Sequence, residues 1–219
     1  MGEREANSEA AEGRLADQFL QRPGLTLAQF GYEPDPGRVR GEGERLVFYH
    51  YAHEDRVAAI LADDGGLRAR PRPVLEHPNL PAALKGCHLV EGLLDPMPQW
   101  ARASPYFGDL GLEMLRRYVG PLLLRIELPV DTPGVYVADF AHVLEAKHAL
   151  RRGRAPLGLG YKVQTGEEVG AAELHSYIPV QAYAGEHVAP LVKFFRRGPG
   201  LCIPSRYIRI ADEQPLMPG

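Results

Sequence analysis

Proline and glycine interrupt this chain so often that no long helix fits between them: 24 glycines and 20 prolines are spread through 219 residues. Each proline removes a backbone donor and locks φ, and each glycine lowers the cost of a turn. A helical bundle is therefore excluded, and short strands and helices joined by turns are expected. Apolar residues make up 45% of the chain, enough for a sizeable core. The length suits one domain with a small extension. No apolar run reaches membrane-spanning length and the acidic N-terminus lacks an apolar signal core, so a soluble, cytoplasmic protein with no membrane partner is expected. The formal net charge of −3 provides no chain-wide basic field to hold nucleic acid, and leaves room only for a local patch. Cys87 and Cys202 stand far apart and outside any CxxC pattern, so two free thiols are expected.

The most structured stretch runs from Leu46 to Leu67. Leu46 to Tyr51 is a β-branched and aromatic run of strand length, and it ends in a histidine between two tyrosines. Glu54 and Asp55 suit a helix N-terminus, where carboxylates meet the positive end of the dipole. Val57, Ile60 and Leu61 then form one apolar helical face, and Gly65-Gly66 offers a left-handed residue to stop the helix. Ala69 to Pro81 reads as a long surface loop with four prolines. Gly86 to Leu94, Leu122 to Val130, Val135 to Val137 and Val188 to Phe195 read as strands. In the second of these, Leu122, Leu124, Ile126 and Leu128 make a buried face and Leu123, Arg125, Glu127 and Pro129 the other. Helices are expected over 110–119 and 139–152, and the segment 203–210 closes the core.

The strands alternate apolar and polar residues, and no regular βαβ rhythm appears. The pattern predicts an α+β fold with small antiparallel or mixed sheets rather than a doubly wound one. Residues 46–212 form the expected domain, with 1–45 as an N-terminal extension and 213–219 as a tail.

Few chemical motifs stand out. His50 and His53 lie three apart with Glu54 beside them, but the HExxH spacing is absent and a strand would not converge the two rings, so no metal is expected. Cys87 and His88 are adjacent on a strand and face opposite sides, which does not make a thiol–imidazole pair. No nucleophile elbow, Walker loop or strand-linked GxGxxG occurs.

Tyr49-His50-Tyr51-Ala52, followed by Ile60-Leu61 and Gly66-Leu67, resembles the Tyr-His-Tyr-Thr first strand and helix of ADP-ribosyltransferase-like proteins. The later Glu173 before Ile178-Pro179, and the closing Ile203-Pro204 segment, look like the ending of the same family. Ala52 stands where that family has Thr, and no Gln-x-Glu or Glu-x-Glu pair occurs in the late segment. The resemblance implies a split β core that binds NAD as substrate. It implies that His50, Tyr51 and Tyr106 contact NAD and that Glu173 is catalytic, with Glu168 and Glu186 as rival carboxylates. The implied chemistry is cleavage of the nicotinamide–ribose bond, in which a carboxylate stabilises an oxocarbenium-like centre. ADP-ribose would pass to an unknown acceptor or to water, as in toxin-type enzymes of this kind. A non-catalytic nucleotide- or protein-binding module of immunity type on the same fold is the alternative, and a metal hydrolase using His50 and His53 is a third. The oligomeric state is left open.

Overall fold

A computed structural model of the protein describes residues 45–71, 85–98, 116, 119–141, 174 and 176–212. Strand β1 (Arg45–Ala52) leads into helix α1 (Glu54–Leu61) and the short strand β2 (Gly66–Ala69). Strands β3 (Cys87–Leu93), β4 (Leu122–Pro129) and β5 (Val135–Asp139) follow. The last described segment holds β6 (Ile178–Pro179), β7 (Pro190–Arg197), β8 (Gly200–Pro204), a 3₁₀ turn (Ser205–Tyr207) and β9 (Ile208–Ile210). Among the described residues this is a strand-rich α+β arrangement. The sheets are unequal: seven strands in the order β6-β5-β7-β3-β1-β4-β9, and the pair β2-β8. Every assigned pairing is antiparallel.

Alternation along β1 sorts its side chains. Leu46, Phe48 and Ala52 enter one cluster, packed with Leu124, Ile126, Val137 and Val192 of the large sheet. The same cluster takes Val57 and Ile60 from α1, Leu67 and Ala69 from β2, and Ile203 from β8. Helix and small sheet therefore cover one face of the large sheet. The opposite face is also closed along part of its length, by clusters built on Tyr51, Leu93 and Leu123 and on Cys87, Leu89, Phe195 and Leu174. Tyr136, Tyr177 and Phe195 pack there with ring centroids 5.6 to 6.3 Å apart. This double cover explains one departure from the sequence pattern. Leu123 and Leu124 point to opposite faces yet are both fully buried, because the second face opens to solvent only further along, at Arg125 and Glu127.

Three other boundaries differ from expectation. Helix α1 ends without a left-handed residue: Ala62 is extended at φ −60° and ψ 155°. The positive φ falls later, at Gly66 (143°), where β2 opens against Ile203 and Pro204. The surface loop begins after β2, because Ala69 pairs with Gly200 and Arg70 bridges Leu89. The closing segment is broken in two. Pro204 ends β8 in the small sheet, and the 3₁₀ turn carries the chain across to β9 on the edge of the large one. Ser205 fixes that crossing by donating its N–H to the Gly65 carbonyl at 3.1 Å and its hydroxyl to the Asp63 carbonyl at 3.3 Å.

Strand β5 ends in a buried carboxylate. Asp139 is 2% exposed and accepts from the N–H groups of Ala141, Val188 and Ala189 at 3.0 to 3.1 Å. It belongs to the strand, with the helical residues Phe140 and Ala141 directly after it. Both cysteines are free, and burial pushes the Cys202 thiol up to about 12. Among the described residues no helix is long and apolar enough to cross a membrane.

Candidate functional site

The two neighbours of β1 hold it unequally. Against β4 it pairs along its whole length, from Arg45↔Pro129 to Ala52↔Leu122. Against β3 the ladder consists of Tyr49↔Leu93. Gly92 makes that contact possible, since a Cβ there would stand 2.5 Å from Phe48 Cδ2 and 2.9 Å from the Tyr49 oxygen. Three residues before Gly92 on β3, Leu89 exchanges backbone hydrogen bonds with Arg70, just after β2. The large sheet is thus seamed between β1 and β3, with β2 meeting β3 on the far side of the seam.

His50 lies at this seam. Its Nδ1 stands 2.8 Å from the Glu91 carbonyl oxygen. A carbonyl can only accept, so Nδ1 carries the proton, and in the neutral ring Nε2 is then an acceptor. The half-buried imidazole is thereby fixed in tautomer and orientation.

Glu91 and Lys193 face each other directly across β3 and β7 and form an ion pair. The Lys193 side chain is 3% exposed and that of Glu91 33%. An ammonium at that depth is tolerable only with its counter-charge in place. Glu91→Gln is expected to cost about 3 kcal/mol, whereas Lys193→Met leaves a carboxylate that can turn to water and costs about 1 kcal/mol. Urea unfolding of the two variants checks this asymmetry, and equal costs would refute it.

Beyond this pair the same face becomes a charged row. Arg125 donates to Glu127 at 2.8 Å and to the Tyr49 hydroxyl at 3.4 Å. Arg45 and Arg209 also reach Glu127, at 3.5 and 3.3 Å. The hydrogen bond from Arg125 holds the Glu127 carboxyl below the usual range, and Arg125 is raised in turn. These groups are solvent-accessible and each pair adds little, about 0 to 1 kcal/mol.

Of the residues singled out from the sequence, the described structure places His50 and Tyr51 but does not bring them together. They are adjacent on β1 and leave on opposite faces. Tyr51 is 3% exposed, packs with Leu93 and Leu123, and donates its hydroxyl to the Pro96 carbonyl at 2.8 Å. Glu173, Tyr106 and Glu168 lie outside the described residues. Leu174, next to Glu173, packs on Cys87, Leu89 and Phe195, the face opposite Phe48 and Ala52. Glu186 is exposed and folds back to accept from the Ala184 N–H at 2.8 Å. His53 is the exposed N-cap of α1. Among the described residues no three His, Cys, Asp or Glu side chains gather as a metal site.

No family model, curated protein or solved structure matches this chain. The site is therefore read from its own chemistry. Sequence reasoning missed the Glu91–Lys193 pair. Its trace was there, one acid in Cys87–Leu93 and one base inside the apolar run Leu191–Phe195. Only the register shows that they meet.

Proposed function

We propose that the chain is an NAD-dependent ADP-ribosyltransferase or NAD glycohydrolase on an ADP-ribosyltransferase-like fold, with NAD and an acceptor as its partners. The single observation that carries this reading is His50, held at the seam of the large sheet with Nδ1 on the Glu91 carbonyl. An imidazole fixed in tautomer and orientation suits hydrogen bonding to a ribose hydroxyl. Glu173 is the carboxylate assigned to the positive charge that develops as nicotinamide departs. Water or an acceptor nucleophile then takes the ribosyl carbon. Tyr51, with its hydroxyl bonded in the core, serves this reading as support for the strand beneath His50.

Nicotinamide release and NAD-induced melting shift, measured together, test the reading. Wild type is expected to do both. His50→Ala is expected to raise KM about 10- to 100-fold, the worth of one hydrogen bond to a bound hydroxyl. Glu173→Gln is expected to keep the melting shift and lose at least about 100-fold in kcat. A wild type that shows neither release nor shift at millimolar NAD overturns the reading. A shift without release points instead to a nucleotide-binding module.

A further inference from the structure

At one end of the molecule the turn joining β7 to β8, the start of β3 and the end of β2 come together. Gly198 donates its N–H to the Gly86 carbonyl at 3.2 Å, Ala69 pairs with Gly200, and Arg70 bridges Leu89. Five cationic side chains stand on these segments: Arg68, Arg70, Lys85, Arg196 and Arg197. All five are exposed, and none forms an ion pair with a carboxylate among the described residues. The exposed arginines around Glu127 differ, since Arg45 and Arg209 share that carboxylate and Arg209 also meets Asp212 at 3.1 Å. A chain with a net charge of −3 thus keeps a concentrated positive rim at one end.

We propose that this rim binds the phosphodiester backbone of single-stranded nucleic acid. Unneutralised cations clustered this densely repel one another, and a polyanion relieves that while releasing its own counterions. A single small phosphate does not suit the layout. Arg196 and Arg197 are adjacent on β7 and leave on opposite faces, while Arg68 and Arg70 share a face of β2. A flexible chain with repeated phosphates can pass over the rim and meet them in turn. Arg196 is already oriented: its guanidinium donates to the Pro199 carbonyl at 2.9 Å and lies where a Cβ on Gly200 would stand, at 2.5 Å. Backbone at the rim is bare as well, because a Cβ on Gly86 or Gly198 would meet nothing within 4 Å. An anionic membrane is the weaker fit. Among the described residues the exposed large hydrophobics, Val119 and Ile210, lie before β4 and on β9, and none of them stands on the rim. The proposal does not depend on the reading of His50.

Fluorescence anisotropy of labelled 20-nucleotide poly(U) and poly(dT) with the full chain tests it, as salt is raised from 50 to 200 mM. Both probes are expected to bind, with log K falling against log salt at a slope of about −3.5 for five phosphate contacts. Arg196→Gln combined with Arg197→Gln is expected to weaken binding roughly tenfold at low salt and bring the slope to about −2. Arg45→Gln with Arg209→Gln, on β1 and β9 around Glu127, is expected to leave both unchanged. Melting curves confirm that both double variants are folded. The proposal is overturned if neither probe binds at 50 mM salt, or if the two double variants weaken binding equally. Capture by vesicles containing phosphatidylserine, with neither oligonucleotide bound, also overturns it.

Discussion

Asp139→Ala is expected to be among the most damaging single substitutions in the chain, lowering stability by about 4 kcal/mol or more. The reason is the number of donors that depend on one side chain. One oxygen accepts from Ala141 and Ala189 and the other from Val188, all in a site where Asp139 is 2% exposed. Truncation orphans three buried N–H groups, each costing about 1 to 3 kcal/mol unless water enters. The damage spreads because the carboxylate ties two segments together, while a third is held at the same junction by the Asp139 backbone. The carboxylate holds the end of β5 to the residues that open β7, and the Asp139 N–H donates to the Ser176 hydroxyl at 2.9 Å. Phe140 closes the same junction through the Ala189 carbonyl at 2.9 Å. His187 adds a ring nitrogen 3.2 Å from the Val137 carbonyl. Asp139→Asn keeps the volume and one accepting oxygen, and turns an amide donor toward the Val188 N–H or toward Ala141 and Ala189. It is expected to cost about half as much. Urea denaturation of the three proteins checks the order. If Asn and Ala cost the same, the orphaned donors are not the cause. A loss below about 1 kcal/mol for Ala would mean the junction is held by its other bonds.

This carboxylate also shows where the sequence was legible and where it was not. The residue is visible in the sequence as the first of the helix expected over 139–152. Of its three carboxylate bonds to described residues, the one to Ala141 is local, two positions along the chain. The other two reach residues 188 and 189, about fifty positions away, and no local pattern announces them. The strands were legible for a simpler reason. Runs such as Leu46–Tyr51, Leu122–Pro129 and Val188–Phe195 alternate or stay apolar between turns, and that period is a property of the chain itself. Sheet order was not legible, because β3 reaches β1, β7 and the end of β2 from different distances in sequence. The same limit applies to the site. His50 was legible because it ends an apolar strand. Its orientation by the Glu91 carbonyl, the burial of Lys193 and the convergence of Arg70 with Arg196 are consequences of register. Tyr51 shows the converse. The family resemblance implied a ligand contact for it, but period-2 alternation already assigned it to the face opposite His50.

Gly120→Ala is expected to cost about 4 kcal/mol or more, for two reasons that can be separated. Gly120 has φ +109°, a conformation that L side chains rarely adopt, and that alone accounts for about 1 to 2 kcal/mol. The larger part is space. A Cβ on Gly120 would fall on the backbone of Ala52 and His53, where β1 ends and α1 begins. Neither partner can give way cheaply. Ala52 is paired with Leu122 at the last position of the β1–β4 ladder, and the Gly120 N–H is held by the Arg116 carbonyl at 2.8 Å. Relief requires the end of β1 to lift from β4, and that end carries His50. Gly86→Ala supplies the comparison, because Gly86 also has positive φ (73°) but a Cβ there meets nothing within 4 Å. It is expected to cost only the conformational part, about 1 to 2 kcal/mol. The difference between the two variants in urea unfolding measures the close approach at Ala52. If both cost the same, the crossing of the β1 end does not require glycine, and the seam beside His50 is less tightly fixed than this packing implies.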